Sequence, residues 1–304
     1  LITDEQWREL LHVRAMDPGA VRAAYARRER RSNLLSEHGT LFLVAADHPA
    51  RGMLGVGADP LAMADRRGLL RRLLVALANP AVDGVLGTAD IVEELLLLGA
   101  LERKVVIGSM NRGGLAGAEW ELDDRFTGYT AKSILESRLD GGKMLLRLED
   151  SDAATVPTLQ SCARAVSELA ASGLAAMVEP LPYRRDNGKL VLRRDTASLA
   201  RAVAVASGLG ATSAHTWLKL PAVDDGRVFD ATTLPVVVLG GVPSGDLAAD
   251  LDSWGRTLGH PVVRGLVVGR SLLYPPDGDV EAAVEGAARI MDRVRVSSKT
   301  REAG

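Results

Sequence analysis

A lysine interrupts the apolar run "HTWLKLPAV" at residues 215–223. Burying an unpaired ammonium is costly, and a lysine so placed often lowers its pKa instead. A desolvated amine is a nucleophile, and its characteristic chemistry is a Schiff base with a substrate carbonyl. The competing reading of Lys219 is a structural lysine paired with Glu179 or Asp47. Further polar residues end apolar runs in the same way. They are Asp47-His48, Glu179 followed by Tyr183, Gly240-Gly241, and Gly269-Arg270. Lys143 opens the run "KMLLRL", which also carries Arg147. If Lys143 reaches the height of the others, two lysines, two carboxylates and a phenol converge, and its charge would help depress the pKa of Lys219.

Such a constellation needs a scaffold that gathers the run ends. Apolar runs lie at 40–46, 83–87, 104–109, 143–148, 175–180, 215–220, 235–241 and 264–269. Most are apolar throughout rather than alternating, as parallel strands covered on both faces are. Helix-patterned stretches separate them, among them 60–80, 155–173 and 195–211, the last opening on an Asp195 or Thr196 cap. Eight strands alternating with helices predict an α/β fold, the (β/α)8 TIM barrel, whose chemistry gathers at the C-terminal strand ends. A doubly wound open sheet is the alternative; against it, no G-x-G-x-x-G follows the first strand and opens a helix.

The expected organisation is one barrel domain over residues 1–304. Residues 1–38 form an N-terminal helical extension, able either to cap the barrel bottom or to mediate assembly. Residues 297–304 read as a polar, frayed tail. The irregular stretch 110–130 would lie at the barrel mouth and could cover a ligand.

Composition narrows the function classes. A formal net charge of −2 argues against a general nucleic-acid or membrane-binding field. The basic run Arg27–Arg31 reads as a solvated helix face. Cys162 is the single cysteine, which leaves a packing role on a helix. The five histidines show no ligand spacing, so metal catalysis is not expected. No apolar run approaches ~18 residues and no signal peptide is evident, so a soluble, cytoplasmic protein is the expectation.

Glycines after the seventh and eighth runs let backbone N–H groups approach a phosphate where barrels usually bind one, and Arg270 could add charge. The plainer reading makes Gly240-Gly241 and Gly269 tight turns.

These stretches also carry a family resemblance. "VAADHPARG", "VEPLPYRRDNG", "WLKLPAV", "VVVLGGV" and "LVVGRSLLY" occur in order across roughly residues 40–275. They resemble the class I aldolase superfamily of deoxyribose-phosphate, tagatose-bisphosphate and archaeal-type fructose-bisphosphate aldolases. The resemblance implies that Lys219 is the Schiff-base lysine, within a network of Asp47, Lys143 and Glu179. It implies Tyr183 as a proton donor, and Gly240, Gly241, Gly269 and Arg270 as the phosphate site. It also implies a phosphorylated sugar as ligand, no cofactor, and a homo-oligomer as one possible state.

A closer likeness is to aldolase-like barrel proteins associated with myo-inositol catabolism. That implies cleavage of 5-dehydro-2-deoxygluconate 6-phosphate into dihydroxyacetone phosphate and malonate semialdehyde. The chain departs from the archaeal-type pattern at His48-Pro49, where Asp-His-Gly is usual, and in its long loop after the third strand. Two other functions remain open on the same barrel. One is a sugar-phosphate isomerase or epimerase with Asp47 or Glu179 as base; the other is a non-catalytic sugar-phosphate sensor.

Overall fold

The computed structural model describes the backbone of residues 2–302 and the side chains of residues 2–292. Its strands are β1 (Leu41–Ala45), β2 (Gly84–Gly87), β3 (Val105–Ser109), β4 (Gly141–Leu148) and β5 (Ala175–Asp186). They continue with β6 (Lys189–Leu192), β7 (Thr216–Pro221), β8 (Val236–Leu239) and β9 (Val263–Val268). All but β6 pair in parallel, and β9 returns to β1, so eight strands close a (β/α)8 barrel. Most runs expected as strands match within one or two residues. One differs: β5 runs on to Asp186, and β6, a strand not expected, folds back antiparallel on its end. The turn between them is Asn187-Gly188, both with positive φ, the pairing that tight hairpins prefer.

Eleven α-helices surround the sheet among the described residues. The first six are α1 (Asp4–Met16), α2 (Gly19–Arg27), α3 (Arg66–Ala78), α4 (Ala89–Leu97), α5 (Ala131–Glu136) and α6 (Thr155–Ala171). The rest are α7 (Thr196–Ser207), α8 (Arg227–Asp230), α9 (Leu247–Leu258), α10 (Arg270–Leu273) and α11 (Val280–Glu302). Asp195 caps α7 as expected, accepting a bond from the Ser198 N–H at 2.9 Å. Cys162 is fully buried on α6, and burial pushes its thiol up to about 12, which suits packing and not reactivity. Helix α11 extends through Glu302, into the stretch expected as a frayed tail; Ala303 and Gly304 lie outside the described residues.

The barrel interior is layered by strand periodicity. Leu41, Leu43, Val105, Ile107, Met177, Trp217, Val237 and their neighbours form a dry floor. Two residues further along their strands come Ser109, Glu179 and Lys219, because alternate side chains share a face. Above these a collar of Leu145, Leu181 and Leu239 narrows the mouth.

The N-terminal extension covers the opposite end. Leu34 and Leu35 pack against the floor, and the Tyr25 and Tyr129 hydroxyls meet at 2.7 Å. Arg28, expected on a solvated helix face, is 1% exposed. Its guanidinium donates to the Lys104 and Arg138 carbonyls at 2.8 and 2.5 Å and lies 3.5 Å from Asp140. Arg30 and Arg31 pair with Asp140 and Asp83, which precede β4 and β2. The basic run therefore ties α2 to the lower rim, because α2 ends at Arg27 and the chain turns inward there.

This anchoring predicts that Arg28→Met lowers stability by roughly 3 kcal/mol, since it strips a buried charge pair that Arg30 only partly replaces. Urea unfolding measures it; an unchanged midpoint would show that the rim bonds contribute nothing net.

Candidate active site

The charged ring sits just above the dry floor. Glu179 is its hub: one carboxylate oxygen, Oε2, lies 2.6 Å from Lys143 Nζ and 3.1 Å from Lys219 Nζ. Lys143 also approaches Asp47 Oδ2 at 3.4 Å. All four side chains are buried. Lys143 reaches this height because β4 begins earlier than its apolar pattern, at Gly141-Gly142. Those glycines are not turn residues. A Cβ on Gly141 would lie 2.4 Å from the Ala175 carbonyl oxygen, so only glycine lets β4 and β5 approach so closely.

The charges set one another's ionisation. Burial alone would raise the Glu179 carboxyl, but Lys143 and Lys219 outweigh it and hold it down at about 2. Burial would also raise Asp47; Arg112, Lys143, His48 and Lys219 instead keep it well below the usual carboxylate range. Burial pushes the Lys143 ammonium down against the opposing pull of Asp47 and Glu179. His48 is lowered to about 3 by burial, with Arg270, Lys219 and Arg112 adding to the effect, so its imidazole is neutral near pH 7.

Arg112 and Ser109 were not singled out from sequence. Arg112 donates to the Asp47 carboxylate at 2.5 Å and to its backbone carbonyl at 2.8 Å; Ser109 donates to the same carboxylate at 3.1 Å. Ser109 ends β3 two residues past the inward Ile107, so strand periodicity could have found it. Arg112 lies in an irregular, glycine-rich stretch with no periodic signal.

The ring opens into a cavity of about 430 Å³. Gly240, Gly241, Gly269 and Arg270 line one side of it. The glycines have packing reasons of their own: a Cβ on Gly269 would meet the Ala45 carbonyl oxygen at 2.5 Å, and Gly241 has φ of 69°. Arg270 is 9% exposed, reaches the Gly241 carbonyl at 3.4 Å and leaves its buried Nε without a partner. Tyr183 lines the cavity from above the Leu181 collar, two inward positions beyond Glu179, where burial raises its hydroxyl and the charge of Arg147 opposes that. His215 is exposed at the start of β7, away from the mouth. Among the described residues, no group of three or more His, Cys, Asp or Glu side chains could hold a metal. No helix there is long and apolar enough to cross a membrane.

Comparison with known proteins places this geometry in context. The profile of the Cgl0159-like family matches residues 39–288. The crystal structure of Cgl0159 from Corynebacterium glutamicum is 49% identical, with a TM-score of 0.93 over 96% of this chain and 99% of that one. An archaeal fructose 1,6-bisphosphate aldolase shares the fold at 18% identity and a TM-score of 0.64, over 89% of this chain and 98% of its own. A Schiff-base-forming fructose-1,6-bisphosphate aldolase does so at 18% identity and 0.63, over 89% and 99%. No functionally curated sequence matches the chain.

The ring makes stability depend on acid. Because Glu179 titrates lower when folded than when unfolded, its contribution is complete above about pH 4.5 and fades as the pH falls toward 2. Glu179→Gln is expected to be less stable at neutral pH and to show a flatter loss of stability through that window. Urea midpoints across the pH range test this; parallel curves for the two proteins would contradict it.

Proposed function

The chain belongs to the Cgl0159-like family, and we propose that it is a class I aldolase, a lyase that makes or breaks a C–C bond in a phosphorylated keto sugar or sugar acid. The observation carrying this reading is Lys219, in a buried ring, 3.1 Å from Glu179 and facing a cavity with a cationic, glycine-lined side. The fold shared with a Schiff-base-forming aldolase supports it. The finer substrate, 5-dehydro-2-deoxygluconate 6-phosphate, is supported by the sequence likeness described above.

In this reading the Lys219 amine attacks the ketone carbon, giving a carbinolamine that loses water to become an iminium. Glu179 Oε2 takes the proton released from the attacking nitrogen and passes it to the new alkoxide, and Lys143, hydrogen-bonded to the same oxygen, gives a second proton to the hydroxyl so that it departs as water. The iminium then accepts the electron pair of the breaking C–C bond as a carboxylate of the ring removes the substrate hydroxyl proton. Protonation of the resulting enamine and hydrolysis release the ketone and free Lys219. The substrate phosphate sits against Arg270 and the backbone of Gly240, Gly241 and Gly269. Tyr183, which lines the same cavity above the collar, is the proton donor that the family resemblance implies.

Borohydride reduction in the presence of dihydroxyacetone phosphate is expected to leave a mass adduct that peptide mapping assigns to Lys219. No adduct with this ketone or a panel of other carbonyl compounds would overturn the aldolase reading, and an isomerase or a sensor would take its place. Arg270→Ala is expected to raise KM for the phosphorylated ketone about 10–100-fold, the loss of one charge-assisted hydrogen bond. An unchanged KM in steady-state kinetics would remove Arg270 from the phosphate site.

A further inference from the structure

We propose that Arg112 is a positioning residue that clamps Asp47 as a fixed anion, presenting its free oxygen to a substrate hydroxyl and leaving proton transfer to the Glu179–Lys143 pair. This inference rests on the aldolase reading for its chemistry, though not for its geometry.

The two Asp47 oxygens are used unequally. Oδ2 faces three donors: Arg112 at 2.5 Å, Ser109 at 3.1 Å and Lys143 at 3.4 Å. Among the described residues no hydrogen bond reaches Oδ1, and His48 Nδ1 lies 3.9 Å from it, beyond hydrogen-bonding distance. A carboxylate with one oxygen so crowded by donors favours its charged form, while the other oxygen stays open to accept a bond. Asp47 and Arg112 both line the cavity. Arg112 also holds the Asp47 backbone carbonyl at 2.8 Å, so its fork fixes both the side chain and the turn that carries it.

The clamp is itself held rigidly. Next to it in the chain, the Asn111 side chain bonds both backbone groups of Leu145 on β4, at 2.6 and 2.8 Å. Arg51 donates to the Asn111 and Gly114 carbonyls at 2.7 and 2.8 Å and pairs with Asp124 at 2.5 Å. The stretch after β3 is thus pinned on both sides of Arg112. Lys143 cannot take over the role, because it lies closer to Glu179, at 2.6 Å, than to Asp47.

Charged groups face Asp47 from several elements. Arg112 faces it from the loop after β3, Lys143 from β4, Glu179 from β5 and Lys219 from β7. His48 adjoins it in the chain, with Arg270 beyond. Of these, Arg112 alone donates two hydrogen bonds to it.

The test reads Asp47 directly. Carbon-13 NMR of aspartate-labelled protein, with the Asp47 resonance identified by its loss in Asp47→Asn, gives the titration of this carboxyl. Arg112→Gln is expected to raise its midpoint by about 1–3 pH units. In the same variant kcat should fall about 10–100-fold, with its acid limb moved upward and KM for the phosphorylated ketone little altered. Combining Arg112→Gln with Asp47→Asn should abolish the shift of that limb. Coincident Asp47 titrations in the wild type and Arg112→Gln, or an unmoved acid limb, would overturn the proposal. If Arg112→Gln does not fold, Arg112→Lys serves, since a point charge cannot span both oxygens: an upward shift supports the clamp and none removes it. The titration needs no turnover, whereas borohydride trapping on the unaltered protein tests the aldolase reading, so either idea can fail alone.

Discussion

One carboxylate oxygen holds two lysine nitrogens inside the barrel, and much else follows from that contact. Glu179 Oε2 bridges Lys143 and Lys219 with a dry floor below and an apolar collar above. Two buried cations this close would repel strongly without an anion between them. Asp47 supplies a second anion and in turn draws in Arg112. The ring therefore stands or falls as a set, and the charges around Asp47, Glu179 and Lys143 set the ionisation of those three.

The barrel supplies this set through periodicity. Parallel strands in register place residues two apart on one face at successive heights, so an apolar layer, a charged layer and an apolar collar follow one another. At the lower end the N-terminal segment seals the floor with Leu34 and Leu35 and ties itself to the strand starts through Arg28. A sealed floor closes the lower side of the charged ring to water, and burial there strengthens the electrostatic interactions within it.

Most of this was legible in the sequence because strands covered on both faces must be apolar throughout, and polar residues at their ends then stand out. Asp47, Lys143, Glu179 and Lys219 were all visible that way, and the structure brings them together. What was not legible depended on tertiary context. The expected run opened at Lys143, whereas β4 begins at Gly141-Gly142, where close strand packing selects the residue that a turn also would. The exposed, charged strand ends around Asn187-Gly188 hid a hairpin whose turn residues were nonetheless its signal. Tyr183 stood near Glu179 in sequence, and the intervening inward residue, Leu181, sets it one layer higher in the same cavity. Arg112 is set by a loop whose path only the folded contacts define, so no local pattern announced it.

The central claim is that Lys219 forms a covalent imine, and oxygen exchange reads that step directly. Imine formation expels the ketone oxygen as water, so a ketone incubated with the protein in 18O-labelled water must acquire the label. The account predicts exchange of the carbonyl oxygen well above the uncatalysed background, lost in Lys219→Arg. Exchange at background level, or exchange that persists in Lys219→Arg, would contradict it.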